Sequence, residues 1–78
     1  MAHVKVLLFG PLAEAYGNSE SIHEIEEGFN ANQLLMKMGL SEWKEKGLRC
    51  AINQNFSNFD VCLNEGDEVV LLTPVSGG

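Results

Sequence analysis

Apolar residues follow two rhythms along this chain, a period near two toward both ends and a helical period in the middle. Residues 3–9 (HVKVLLF) begin in alternation and become continuously apolar, the pattern of a strand buried on both faces. Gly10-Pro11 breaks that run. Pro11 suits the first turn of a short helix over 12–16, which Gly17 closes. Residues 19–25 predict a second, weaker strand, and Glu26-Glu27-Gly28 a turn.

The middle of the chain changes period. Asn30 and Gln33 have the spacing of a capping box, in which each side chain serves an amide of the other residue. Behind them Ala31, Leu34, Leu35 and Met38 fall on one face of a helix, and Gly39 stands where a left-handed cap is expected. Residues 41–47 predict a short second helix, with Glu42 early and Lys44 and Lys46 late, in agreement with the helix dipole. Trp43 on it is expected to act as a lid over the core.

From Leu48 onward the pattern is β again. Residues 49–53 and 59–63 are the expected strands, with the polar stretches 53–55 and 57–58 as the turn region between them. Asn64-Glu65-Gly66-Asp67 reads as a tight turn, and residues 68–73 (EVVLLT) as the last strand, which Pro74 ends. Only the first and last strands are apolar on both parities, so they should form the central pair of the sheet. First and last strands adjacent and parallel, with a helix packed across one face, is the β-grasp or ubiquitin-like arrangement. The expectation is therefore an α+β fold: a mixed five-stranded sheet, one main helix and short extra helices. It forms one domain over 1–78 with a flexible tail, 74–78.

Size and charge narrow the function classes. With 78 residues there is one core and little room for an enclosed catalytic pocket besides. Eleven acidic residues against five basic give a net charge of −6, which disfavours nucleic acid and favours a basic protein partner. Apolar runs fall far short of the roughly 20 residues of a membrane span, and Met1-Ala2-His3-Val4-Lys5 lacks a signal pattern, so a cytoplasmic protein is expected. Cys50 and Cys62 are expected as two buried thiols in a reducing compartment.

Catalytic motifs are scarce. His3 and His23 share no ligand spacing with the cysteines, so no metal site is expected, and Gly66 stands alone rather than in a phosphate loop. Glu24, Glu26 and Glu27 read as a solvated face. The tail is different: Pro74 and Val75 stiffen an exit that Ser76, Gly77 and Gly78 then thin to bare backbone. Five residues reach about 17 Å, enough to bring a terminal carboxylate on Gly78 into another protein's active site. Such a carboxylate is ionised and a poor electrophile, so it must first be activated, most simply as a mixed anhydride with AMP. In the last strand Val69 and Leu71 lie on one parity and Val70 and Leu72 on the other. One set packs on the helix; Val70 and Leu72, with Phe9 and Phe59, are the candidate partner-binding residues.

Ile52-Asn53-Gln54, Phe59-Asp60, residues 63–69 (LNEGDEV) and the ending Thr73-Pro74-Val75-Ser76-Gly77-Gly78 together closely resemble the small subunit of molybdopterin synthase. Residues 8–14 (LFGPLAE) resemble that family's first strand and helix start, and the likeness extends over essentially the whole chain. The resemblance implies a sulfur carrier of the ubiquitin-like superfamily. Gly78 would be adenylated with ATP by an enzyme related to ubiquitin-activating enzymes, and sulfur would then displace AMP to leave a thiocarboxylate. Residues 74–78 would insert into the large synthase subunit, in a heterotetramer. Catalysis there would move the sulfur to a cyclic pterin precursor and build the dithiolene that holds molybdenum. No permanently bound cofactor is implied. Two positions depart from the family pattern: Thr73 replaces the first of two prolines, and Asn32 is polar where an apolar residue is usual. Carriers for the thiamine pathway and for tRNA thiolation share the ending, and a ubiquitin-like protein modifier or binding module is the alternative of another class.

Overall fold

The computed structural model describes residues 2–73. Its strands are β1 (Ala2–Leu8), β2 (Glu20–Ile25), β3 (Arg49–Ile52), β4 (Asn55–Ser57) and β5 (Glu68–Leu72). Two α-helices, α1 (Pro11–Tyr16) and α2 (Ala31–Met38), and a 3-10 helix (Ser41–Lys46) complete the elements. The sheet order is β2-β1-β5-β3-β4, with β1 and β5 parallel at its centre and the remaining pairs antiparallel. First and last strands are neighbours, as their two-sided apolar pattern requires. The expected β-grasp architecture is the one observed.

Alternation divides the sheet into two faces. Val4, Val6 and Leu8 of β1, Ile25 of β2 and Val69 and Leu71 of β5 join one buried cluster with Leu34 and Leu35 of α2. Ala31 and Met38 are buried too, so all four residues at the helical spacing face the core. The capping box forms: Asn30 Oδ1 accepts the Gln33 amide and Gln33 Oε1 accepts the Asn30 amide, both at 2.9 Å. Gly39 ends α2 at φ 76°, a conformation costly for a residue with a Cβ, and its amide donates to the Leu35 and Met36 carbonyls. Trp43 is half-buried against the core, as a lid would be.

The expected fourth strand is misplaced by four residues. Asn53 and Gln54 both have positive φ, 52° and 71°, the requirement of a two-residue hairpin turn of the primed type. The chain therefore reverses directly after Ile52, and Asn55, Phe56 and Ser57 pair with Ile52, Ala51 and Cys50. Residues 59–63 cross the start of α2 as a loop instead. There the Asn32 amide donates to the Phe59 carbonyl at 3.0 Å and the Leu63 amide to the Phe29 carbonyl at 2.7 Å. Cys62 has a single bridge partner, Asn30, and is exposed, which corrects the expectation of two buried thiols. Cys50 alone is buried; its thiol donates to the Ser57 carbonyl at 3.2 Å, and burial pushes its pKa up.

The two departures and the matching stretches acquire structural meanings. Asn32 is a junction: its Nδ2 donates to Asp60 Oδ1 at 2.8 Å, and its Oδ1 accepts from Lys44, whose ammonium also lies over the Phe59 ring. A polar side chain there ties α2, the 3-10 helix and the 58–67 loop together. Asn53 clasps the opposite end, donating to Asp67 Oδ1 at 2.9 Å and accepting the Glu68 amide at 3.0 Å. Asp67 Oδ2 in turn accepts the Asn64 amide, closing the turn before β5. Thr73 is the last described residue. The tail, Pro74–Gly78, lies outside the described residues, and with it the expected site residues Gly78, Gly77, Ser76, Val75 and Pro74. Among the described residues no helix is long and apolar enough to cross a membrane.

Candidate functional site

The face of the sheet turned away from α2 carries a continuous apolar row. Leu7 pairs with Val70, Val70 with Ala51, and Ala51 with Phe56, so four adjacent strands each contribute one residue. Directly opposed residues share a face, and none of these is on the parity that the helix buries. Phe56 is 70 % exposed and Ile22, on the same parity of β2, 69 %. Val69 and Leu71, by contrast, are 0 % exposed on the inner face of the same strand that presents Val70 and Leu72.

At one end this face meets the exit of β5. The β1 and β5 register ends at Leu8 opposite Leu71; Phe9 follows directly after β1, and Leu72 is the last residue of β5. Phe9 is 53 % exposed. The structure thus brings three of the four candidate partner-binding residues, Val70, Leu72 and Phe9, to one region beside the start of the tail. Phe59 is not with them: its ring packs on the core from the helix side under Lys44. Its carbonyl accepts the Asn32 amide at the start of α2. Sequence reasoning missed Leu7, Ala51 and Phe56. Leu7 was visible in the parity of β1, whereas Phe56 could be placed only with the correct β4.

Charge is unevenly spread over the same face. Toward the start of β5 lie Glu68, Glu24 and Glu65, with His3 3.3 Å from Glu24 and 3.6 Å from Glu65. Lys5 and Glu20 pair at 3.6 Å across β1 and β2. At the exit end Arg49 stands opposite Leu72. On the inner side of β2, His23 Nε2 is 2.9 Å from Ser21 Oγ and 3.5 Å from the Tyr16 hydroxyl. Burial first, and the nearby Lys37 ammonium second, hold its pKa below the ordinary histidine value.

Among the described residues, the apolar row lies on an open face of the sheet beside the end of β5. A family profile described as the ThiS family matches residues 6–78. The chain belongs to the ThiS family. That family is one of ubiquitin-like sulfur carriers of the β-grasp fold. The fold is similar to molybdopterin converting factor, subunit 1, from Pyrococcus furiosus, with a TM-score of 0.82, 24 % identity and coverage of 96 % of this chain and 100 % of that one. Small archaeal modifier protein 1 from Methanosarcina acetivorans is 30 % identical, with a TM-score of 0.75 over 100 % of this chain and 98 % of that one. Subunit 1 in a complex of subunits 1 and 2 of molybdopterin-converting factor from Helicobacter pylori is also similar. It is 28 % identical, with a TM-score of 0.65 over 97 % of this chain and 99 % of that one. No curated protein matches the chain.

Proposed function

We propose that this ThiS-family carrier is the sulfur-donating subunit of a molybdopterin synthase and that Gly78 is the residue that bears the sulfur. The observation that carries this reading is the continuity of β5: the strand presenting Val70 and Leu72 on an uncovered face leads through Thr73 straight into Pro74–Gly78. A partner that covers the apolar row is thereby placed to receive the tail. The Helicobacter pylori neighbour, similar over nearly all of both chains, is held in a complex with subunit 2, which supports a large-subunit partner here.

The chemistry is a two-step exchange at one carbonyl. The Gly78 carboxylate attacks the α-phosphorus of ATP in an adenylating partner, pyrophosphate leaves, and an acyl adenylate forms. Hydrosulfide, the sulfide-level donor, then adds to that carbonyl, AMP departs with the bonding pair, and loss of the S–H proton leaves the thiocarboxylate. In the large subunit the thiocarboxylate sulfur displaces an oxygen substituent from a carbon of the cyclic pterin precursor: the C–S bond forms as the C–O bond breaks, and the departing oxygen leaves with the bonding pair and takes up a proton. Hydrolysis of the resulting thioester frees Gly78 as a carboxylate and leaves the sulfur on the pterin. The carrier contributes reach and the sulfur atom; the pocket and the acid–base groups belong to the partners.

The test is the intact mass of the protein made alongside sulfur-activating enzymes, together with a form carrying one extra residue after Gly78. The parent gains the mass difference of sulfur for oxygen and supports dithiolene synthesis with a large subunit. The extended form, equally folded, does neither. Sulfur transfer by the extended form without trimming overturns the reading. A second reading follows from the 30 % identity to a small archaeal modifier protein: an isopeptide-forming modifier. Gly78 joined to lysines of other proteins, with no thiocarboxylate, is its distinguishing product. Thiamine-pathway and tRNA-thiolation carriers share the Gly78 chemistry and are separated by which partner the chain retains on co-purification.

A further inference from the structure

The cations of this chain are divided in a telling way. Each of the four lysines has a partner within the fold. Lys5 pairs with Glu20, Lys37 donates to the Glu24 carbonyl, Lys44 is held by Asn32 and the Phe59 ring, and Lys46 lies 4.6 Å from the centre of the Trp43 ring. Arg49, the single arginine, is exposed, and its side chain forms no ion pair among the described residues. It opens β3 directly opposite Leu72, on the parity of the apolar row, one residue from the end of the described chain.

A guanidinium is matched to a carboxylate by its planar fork of donors. Its target is not the reacting phosphate or sulfur, because residues 74–78 carry the terminus up to about 17 Å beyond Thr73. Arg49 stands instead beside Leu72, where the chain leaves β5. The opposite end of the same face carries Glu24, Glu65 and Glu68 beside His3 and Lys5, an excess of acid, whereas at the exit end Arg49 stands opposite Leu72, with apolar residues between. A partner docked the wrong way round would set like charges together and point the tail away from its channel.

We propose that Arg49 orients tail delivery by pairing with a carboxylate at the mouth of the channel through which the adenylating partner admits the terminus. The inference rests on the reading that Gly78 is activated there. Arg49 touches no reacting atom; it is a positioning residue that acts on encounter and alignment.

The experiment is ATP–pyrophosphate exchange by the adenylating enzyme of the source cell, with the full chain varied in concentration. Arg49→Glu is expected to raise KM for the carrier about tenfold while kcat stays within about twofold, as a rim charge acting on encounter should. The gap narrows at high salt, and Arg49→Lys recovers part of the affinity. Lys37→Glu makes the same charge change on α2, on the other side of the sheet, and leaves KM near the parent value. Equal KM values for Arg49→Glu and Lys37→Glu overturn the inference, as does a fall in kcat alone. An absence of exchange with the parent protein overturns the activation reading itself, and this inference with it.

Discussion

Within β5 two pairs of similar side chains meet opposite fates. Val69 and Leu71 are fully buried beneath α2, whereas Val70 and Leu72, one residue out of phase, line a face that no described element covers. Inner residues are held by packing in a closed core, so their worth is read in folding. Outer ones are available to a partner, so theirs is read in binding. Hydrophobicity alone does not separate the two uses; topology does.

The sharpest way to break that contrast is a pair of substitutions one residue apart. Leu71→Ala leaves a cavity among Cys50, Leu8 and the helix face, and the loss of stability should be about 2–5 kcal/mol in urea unfolding. Leu72→Gln should move stability by no more than about 1 kcal/mol, yet weaken the complex with a tail-accepting partner about tenfold or more. Comparable destabilisation by both changes means that the outer residues belong to the core. Undiminished binding by Leu72→Gln moves the docking surface elsewhere.

A smaller effect separates scaffold from surface at Asn53. Its side chain links the hairpin turn to Asp67 and the Glu68 amide, at the end of β5 away from the tail. Asn53→Gly keeps the positive φ accessible and removes only the two hydrogen bonds, so a loss of about 1–2 kcal/mol is expected. Partner affinity, read by titration calorimetry, should not change. The motif that made the chain resemble its family would then be a device of folding, with the chemistry confined to the tail. A loss of affinity without a loss of stability would assign Asn53 to the interface.

What the sequence disclosed and what it hid follow the same division. Ala31, Leu34, Leu35 and Met38 are legible because a helix imposes a period, and Asn30 and Gln33 because a cap has fixed spacing. The adjacency of β1 and β5 was legible from their apolar residues on both parities. β4 was not, since an Asn-Gln turn carries no glycine to announce it and Asn55-Phe56-Ser57 is too short for a pattern. Phe59 and Val61 imitate a strand by their alternation, yet of these two loop residues only Phe59 packs on the core and Val61 is exposed. The row Leu7, Val70, Ala51 and Phe56 depends on register across four strands, information that no single segment contains. Asn32 departs from the family pattern in sequence and becomes intelligible only beside Asp60 and Lys44.

The smallest expected effect lies on the inner side of β2. Burial and Lys37 lower the pKa of His23 in the fold, so the unfolded chain binds this proton more readily than the folded one. The corresponding stability is complete above the unfolded value of about 6.5, and is lost as pH falls from there through the lower folded value. Carboxylates titrate over part of the same range, so the parent is compared with His23→Gln, which cannot take up the proton. Between about pH 7 and pH 5 the urea midpoint of the parent should fall more steeply than that of His23→Gln. Binding to a tail-accepting partner should differ little between the two over the same range, because His23 lies on the parity facing away from the apolar row. Parallel stability curves would mean that Lys37 and the ring's burial do not act on the imidazole in the folded chain. A pH-dependent gap in affinity would instead show that the two faces of the sheet are coupled.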